Sequence, residues 1–272
     1  MISFTEEQLE RYSRHIILKD IGVEGQTRIM NGKVLIIGAG GLGSPAALYL
    51  AAAGVGTIGI VDSDKVELSN LQRQIIHFTK DINTSKVTSA AQKMQALNPD
   101  VTINTNHEFV RAENIRQIIQ GYDFVIDGTD NFAAKFLIND ACVMEGIPFS
   151  HGGILRFNGQ TMTIIPNKSA CYRCVFESPP PIGAVPTCAQ AGVLGAIAGI
   201  LGTIQTAETL KFLSGSGTLL TNAMLFFDAM TMDFSKLTLR KNEECTLCGK
   251  LPTIHELIDE EQVVCNLETA KC

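Results

Sequence analysis

Four of the eight cysteines fall in two pairs of identical spacing, Cys171-Tyr172-Arg173-Cys174 and Cys245-Thr246-Leu247-Cys248. Two such pairs offer four thiolates for a tetrahedral zinc ion, a closed structural set with no position left for chemistry. Because the pairs lie far apart, a metal held by both would staple the end of the chain to its middle. Disulfides and a redox dithiol are the competing readings, and a long chain without a secretory leader disfavours them. A second group of residues suits phosphate. Gly38-Ala39-Gly40-Gly41-Leu42-Gly43 directly follows the apolar run Lys33–Ile37 and precedes an alanine-rich segment. Glycines let a backbone turn tightly against a phosphate, and the helix that follows turns its free N–H groups and positive dipole end towards it. Asp62 lies at about the interval expected of an acid that binds a ribose. Nucleotide binding follows from this pattern, but the loop alone leaves NAD and ATP equally open.

The elements that must carry these residues alternate. Thr5-Glu6-Glu7-Gln8 has the form of a capping box, and Leu9, Tyr12, Ile16 and Ile17 follow at helical spacing until Gly22 and Gly25 end the pattern. Arg11, Arg14 and His15 read as a solvated face of that helix. Lys33–Ile37 is a buried parallel strand. Ser44 as cap and Pro45 at the first helical position start a helix that Gly54 closes, and Thr57–Val61 is the second strand. Helices are predicted over 86–97, 112–120 and 132–145, with strands at 101–104 and 122–127. From Ile147 the pattern changes to hairpin-connected strands, then the apolar helix near Ala191 to Leu213, then strands near 223–227 and 236–239. The fold class is therefore α/β: a Rossmann-like, mostly parallel sheet with helices on both faces, completed by antiparallel strands into a mixed sheet.

Composition narrows the function. The 272 residues carry a formal net charge of −6, with 45% hydrophobic and 18% charged residues, an ordinary globular balance that argues against a basic nucleic-acid binder. The apolar stretch Ala191–Ile204 is too short for a membrane span and runs on into Gln205, Glu208 and Lys211. The first residues lack the basic and apolar parts of a signal peptide, so the expected location is cytoplasmic.

Residues 62–74, Asp62-Ser63-Asp64-Lys65-Val66-Glu67-Leu68-Ser69-Asn70-Leu71-Gln72-Arg73-Gln74, resemble the nucleotide-binding stretch of the ubiquitin-activating-like adenylyltransferases, the ThiF/MoeB family in particular. The likeness extends through Gly38–Gly43, Lys86, Gly128-Thr129-Asp130-Asn131, both Cys-x-x-Cys pairs and Thr187-Cys188-Ala189-Gln190-Ala191-Gly192, roughly residues 8 to 250. The resemblance implies ATP as co-substrate, with magnesium. It implies that the C-terminal Gly-Gly carboxylate of a ubiquitin-like sulfur carrier attacks the α-phosphate, giving an acyl-adenylate and pyrophosphate. Gly38, Gly40, Gly41, Gly43, Asp62 and Asn70 are then nucleotide contacts. Arg73 and Lys86 hold phosphate oxygens, the one as a planar fork and the other as a point charge. Asp130 associates with magnesium. Arg14, in the family's homodimer, reaches the partner subunit's ATP, which replaces the solvated-face reading for that residue alone. Asp64 reads equally as a surface acid and as a neighbour of the nucleotide, and Asp127 equally as a nucleotide contact and as a turn-stabilising acid.

Cys188 matches a cysteine that can bond the carrier or assist sulfur transfer, and a cysteine desulfurase is the candidate sulfur donor. Cys142 reads as a core residue. The segment 177–186 reads as a crossover loop above the carrier's tail, while Cys265 and Cys272 receive no role. In domain terms, residues 1–250 form the adenylyltransferase domain, divided into 1–31, 32–150 and 151–250, and 251–272 form an extension. Thiamine and molybdenum-cofactor synthesis are the implied pathways, with a ThiF-like role placed ahead of a MoeB-like one. The alternatives are an NAD-dependent oxidoreductase and a catalytically silent scaffold.

Overall fold

A computed structural model describes residues 4–181, 184–185 and 191–260. Eight strands form one sheet in the order β3-β2-β1-β4-β5-β6-β7-β8. The first five, β1 (Lys33–Ile37), β2 (Thr57–Val61), β3 (Thr102–Asn106), β4 (Phe124–Asp127) and β5 (Phe149–Leu155), pair in parallel. The antiparallel continuation is β6 (Asn158–Ile164), β7 (Ala223–Asp228) and β8 (Asp233–Thr238). The α/β class and the mixed sheet expected from the sequence are both present.

The pleat of the central strands sorts their side chains into two cores. Leu35, Ile37 and Val125 face α6 (Ile115–Ile119) and α7 (Phe132–Glu145). Val34, Ile36, Phe124 and Ile126 face the opposite side, where α4 (Gly43–Ala53) and α5 (Lys86–Leu97) pack. On that second side α8 (Gly195–Ser214) lies against α4, β5 and β6. Its Glu208 is buried, accepts from Thr163 Oγ1 at 2.7 Å and pairs with Lys211. The hydrogen bond and the pairing offset the cost of burying a carboxylate beneath the sheet.

Several local expectations change. Thr5 and Gln8 do form a reciprocal capping box for α1 (Glu6–Arg11), which α2 (Ser13–Ile16) follows. Gly22, however, opens a further helix, α3 (Gly22–Asn31), and Gly25 lies inside it close to Ile21 and Ser214. Close packing, rather than helix termination, explains Gly25. Ser44 does not cap α4. The helix begins at Gly43, two residues before the expected Pro45, and Ser44 Oγ donates to Gly40 O at 2.7 Å within the first turn. Helix α6 is shorter than expected and β3 lies one to two residues later. No helix among the described residues is long and apolar enough to cross a membrane.

Candidate active site and metal centre

Three chain segments meet at the C-terminal ends of β1, β2 and β4. Gly38 follows β1 with φ +99°, where a β-carbon would stand 2.8 Å from the Gly128 carbonyl oxygen. At Gly43 a β-carbon would lie 1.9 Å from Gly38 O, so no side chain fits there without moving the backbone. These two approaches let the loop close over the start of α4 and bring Thr129-Asp130 beside it.

Asp62, at the end of β2, braces this loop. One carboxylate oxygen accepts Ala39 N–H and the other accepts Asp64 N–H, both at 2.8 Å. Each oxygen keeps a lone pair for a ribose hydroxyl. The Lys86 amide donates to Asp64 O, and Lys86 Nζ donates to the Asp64 carboxylate at 2.8 Å. The lysine side chain is only 7% exposed while its partner is 65% exposed, so a buried stem carries the cation to the rim. Asp64 is thus tied to the site through Lys86 and Asp62. Asn70 is buried, and its carbonyl accepts the amides of Arg73 and Gln74. The Arg73 stem lies next to Gly41, and its guanidinium donates to Ser69 O at 3.1 Å. Asp130 is exposed, and its side chain has no hydrogen bond or ion pair among the described residues.

Arg14 is not gathered into this cluster. Tyr12 beside it lies against Gly54 and hydrogen-bonds Asn98 at the C-terminal ends of α4 and α5. The eleven residues of α4, about 16 Å of helix, separate that end from the glycine loop. Arg14 is exposed there, whereas Arg11 pairs with Glu7 and His15 hydrogen-bonds Gln26. Cys188, Cys265 and Cys272 lie outside the described residues, as does most of 182–190. Cys142 is buried in the core as expected, and burial pushes its thiol pKa up.

His77 was not singled out from the sequence. It is 3% exposed; Nε2 donates to Ala39 O at 2.9 Å, and Nδ1 meets Ser89 Oγ at 2.9 Å. Ser89 in turn meets Asp81 and Lys93, which form a buried ion pair. Ala39 is therefore held from both sides, its N–H by Asp62 and its carbonyl by His77. A lone histidine in an irregular stretch gives no periodic signal from which this could be read. Burial lowers the His77 pKa from 6.5, the hydrogen bond to Ala39 opposes that shift, and Lys86 and Lys93 add to it. The sign follows by linkage. The unfolded chain takes up a proton near pH 6.5 that the folded site resists, so this stability is complete above that pH and lost as pH falls through the folded value. We expect thermal stability to decline below about pH 6.5 and the decline to flatten in His77→Asn, as read by melting across pH. An unchanged slope in the variant would rule out the assignment.

Asp127 resolves towards the turn-stabilising reading. It is 1% exposed, and it accepts from Thr129 N–H at 3.0 Å, Thr129 Oγ1 at 2.6 Å, and Lys135 Nζ and His151 Nδ1 at 3.0 Å each. Burial raises its pKa, but the Lys135 charge and the bonds from His151 and Thr129 outweigh that and leave it well below the usual carboxylate range.

Beside the middle of α7 the four paired cysteines come together, with all four sulfurs within 4.8 Å of one another. Three of the separations are 3.4, 3.7 and 3.9 Å. Four sulfurs about 2.3 Å from a tetrahedral zinc stand about 3.8 Å apart, so the donor set and its spacing fit zinc. The residues inside the first pair anchor the cluster. Arg173 is buried and grips Asp140 through two bonds of 2.8 and 2.7 Å, and Tyr172 N–H donates to Asn139 at 2.8 Å. Leu247, Ile254 and Leu257 join the neighbouring core. The metal would thus fasten the C-terminal segment to α7.

The chain matches the ThiF family over residues 12–247. It is 46% identical over 249 residues to the SAMP-activating enzyme E1 of Haloferax volcanii, which spans 92% of each chain. It is 44% identical over 263 residues to the sulfur carrier protein adenylyltransferase of Thermus thermophilus, covering 95% of this chain and 97% of the relative. Among solved structures, E. coli MccB with MccA-N7isoASN superposes with a TM-score of 0.80 at 20% identity, covering 89% of this chain and 75% of that one, a likeness of fold.

Proposed function

The chain belongs to the ThiF family, and from that premise we propose that it uses ATP to adenylate the C-terminal Gly-Gly carboxylate of a ubiquitin-like sulfur carrier. The carboxylate oxygen bonds to the α-phosphorus of ATP, the bond from that phosphorus to the bridging oxygen breaks, and pyrophosphate leaves with the electron pair. The difficulty is electrostatic, because an anion approaches a polyanion. What supports the reading most is that Asp62 fixes the first peptide of the loop and the amide of Asp64, which holds Lys86, while the Arg73 stem lies against Gly41.

Gly38 and Gly43 let the loop close on itself, Gly40 and Gly41 present its backbone to phosphate without a side chain, and the N-terminus of α4 faces it. Asp62 binds the ribose and Asn70 shapes the pocket beside it. Lys86 and Arg73 offset phosphate charge, with Asp64 steering Lys86. Asp130 would hold magnesium, which supplies further charge neutralisation to the triphosphate. Arg14 completes the site of a second subunit, making the working form a homodimer. Cys188 serves later sulfur transfer, with a cysteine desulfurase as donor, and zinc on Cys171, Cys174, Cys245 and Cys248 is structural. Residues 1–250 act as one adenylyltransferase domain with 251–272 as an extension, in the cytoplasm where ATP is supplied.

Neither the dehydrogenase nor the silent-scaffold reading has a specific observation in its favour. The test is to incubate the protein with ATP, magnesium and each of a thiamine-type and a molybdopterin-type carrier ending in Gly-Gly, then measure intact masses. Gain of one AMP on a carrier, with pyrophosphate release, is the expected result, and the carrier that gains it assigns the pathway. No adenylate and no pyrophosphate with either carrier, from folded and zinc-loaded protein, would overturn the proposal.

A further inference from the structure

We propose that Lys135 and His151, acting through Asp127, are positioning residues that fix the backbone of Thr129 and so present the Asp130 carboxylate to the nucleotide. This deepens the adenylation reading and rests on it.

Thr129 is held at three atoms. Its N–H and its hydroxyl both donate to Asp127, and its carbonyl accepts Lys135 Nζ at 2.8 Å. The same ammonium reaches the Asp127 carboxylate and Gly152 O, so one cation joins the end of β4, the middle of β5 and the turn between β4 and α7. Asn131, on the far side of Asp130, is also committed. Its side chain accepts Ala134 N–H at 2.8 Å as the cap of α7, and its carbonyl accepts the Lys135 amide. Asp130 therefore lies between two pinned residues, with its own side chain free of any such partner among the described residues.

The Asp127 backbone is fixed from the opposite face of the sheet. Gln205 on α8 donates to Asp127 O at 2.9 Å and to Ser150 O at 3.1 Å. His151 completes the set. A carboxylate only accepts, so Nδ1 carries the proton donated to Asp127, while Nε2 is buried with no partner among the described residues and stays bare. The ring packs on Tyr172, with centroids 4.5 Å apart. The group is then one anion, one cation and one neutral imidazole. Burying a charged pair carries a large desolvation cost, and an apolar pair of similar volume often serves stability as well. What an apolar pair could not do is hold three atoms of one exposed turn in register.

The test uses the full chain, with zinc content and melting as checks on the fold, and compares Lys135→Met, His151→Phe and His151→Asn. The readout is carrier-dependent ATP–pyrophosphate exchange as a function of magnesium. In Lys135→Met the expected result is a kcat lower by on the order of 100-fold, the loss that a misplacement of about 1 Å brings. The magnesium concentration at half-maximal rate should rise and the KM for ATP change little. His151→Phe should lose activity in the same way, and His151→Asn, which can still donate to Asp127, should recover most of it. A folded Lys135→Met with wild-type kcat and magnesium dependence would overturn the proposal. If that variant does not fold, equal loss in His151→Phe and His151→Asn overturns it, because only the ring's shape would then matter. Should the wild-type protein exchange no pyrophosphate with any carrier, the adenylation reading fails on its own. The same variants are then compared for the magnesium dependence of ATP binding by calorimetry, where no difference rejects the positioning role.

Discussion

Lys86→Met is expected to lower kcat/KM for carrier adenylation by on the order of 10²- to 10³-fold, the range found when a preorganised charge-stabilising group is removed. The argument rests on where the charge sits. The stem is buried along its length, so methionine fills nearly the same volume. The partner left behind, Asp64, is largely exposed and is rehydrated at little cost. Folding stability should therefore change little while the reaction collapses, and a melting curve beside the kinetics separates the two. Phosphate charge that Lys86 no longer offsets would repel the incoming carboxylate, so the loss should fall on pyrophosphate exchange at saturating ATP. Wild-type exchange in a folded Lys86→Met protein would remove Lys86 from the mechanism.

The second large effect belongs to the metal centre. Cys245→Ser is expected to reduce bound zinc from one equivalent to a small fraction, measured by mass spectrometry or a chelator dye. It should also lower the melting midpoint by on the order of 10 °C, given a loss of a few kcal/mol and about 2–4 °C per kcal/mol for a chain of this size. Cys245 is 2% exposed, and the four sulfurs tie together two segments that also meet through the Arg173–Glu260 ion pair and the core contacts of Leu247, Ile254 and Leu257. Chelation of the wild-type protein should reproduce the loss. Unchanged zinc stoichiometry in the variant would exclude the four-sulfur site.

Legibility in the sequence followed the range of the interactions concerned. The capping box at Thr5, the full extents of α5 and α7, and the continuous apolar run of β1 were readable because neighbours within a few residues determine them. Ser44 shows where this breaks down. Its type suits a cap, but its neighbours leave α4 beginning earlier, at Gly43, whose place is set by contact with Gly38 O. Gly25 was misread for a similar reason, since its packing partners include Ser214, far away on α8.

The chain alone determined that there would be a glycine loop before a helix, an acid at the end of the second strand and two thiolate pairs fit for one metal, because residue type and spacing carry those features. Only the tertiary structure decided that His77 would hold Ala39, that Lys135 and His151 would converge on Asp127, and that Arg14 would lie at the opposite end of α4 from the glycine loop. Such contacts join strands and helices distant in the chain. The sheet order and the close packing of its two faces set them, and no local pattern of residues records which side chains a fold brings within 3 Å of each other.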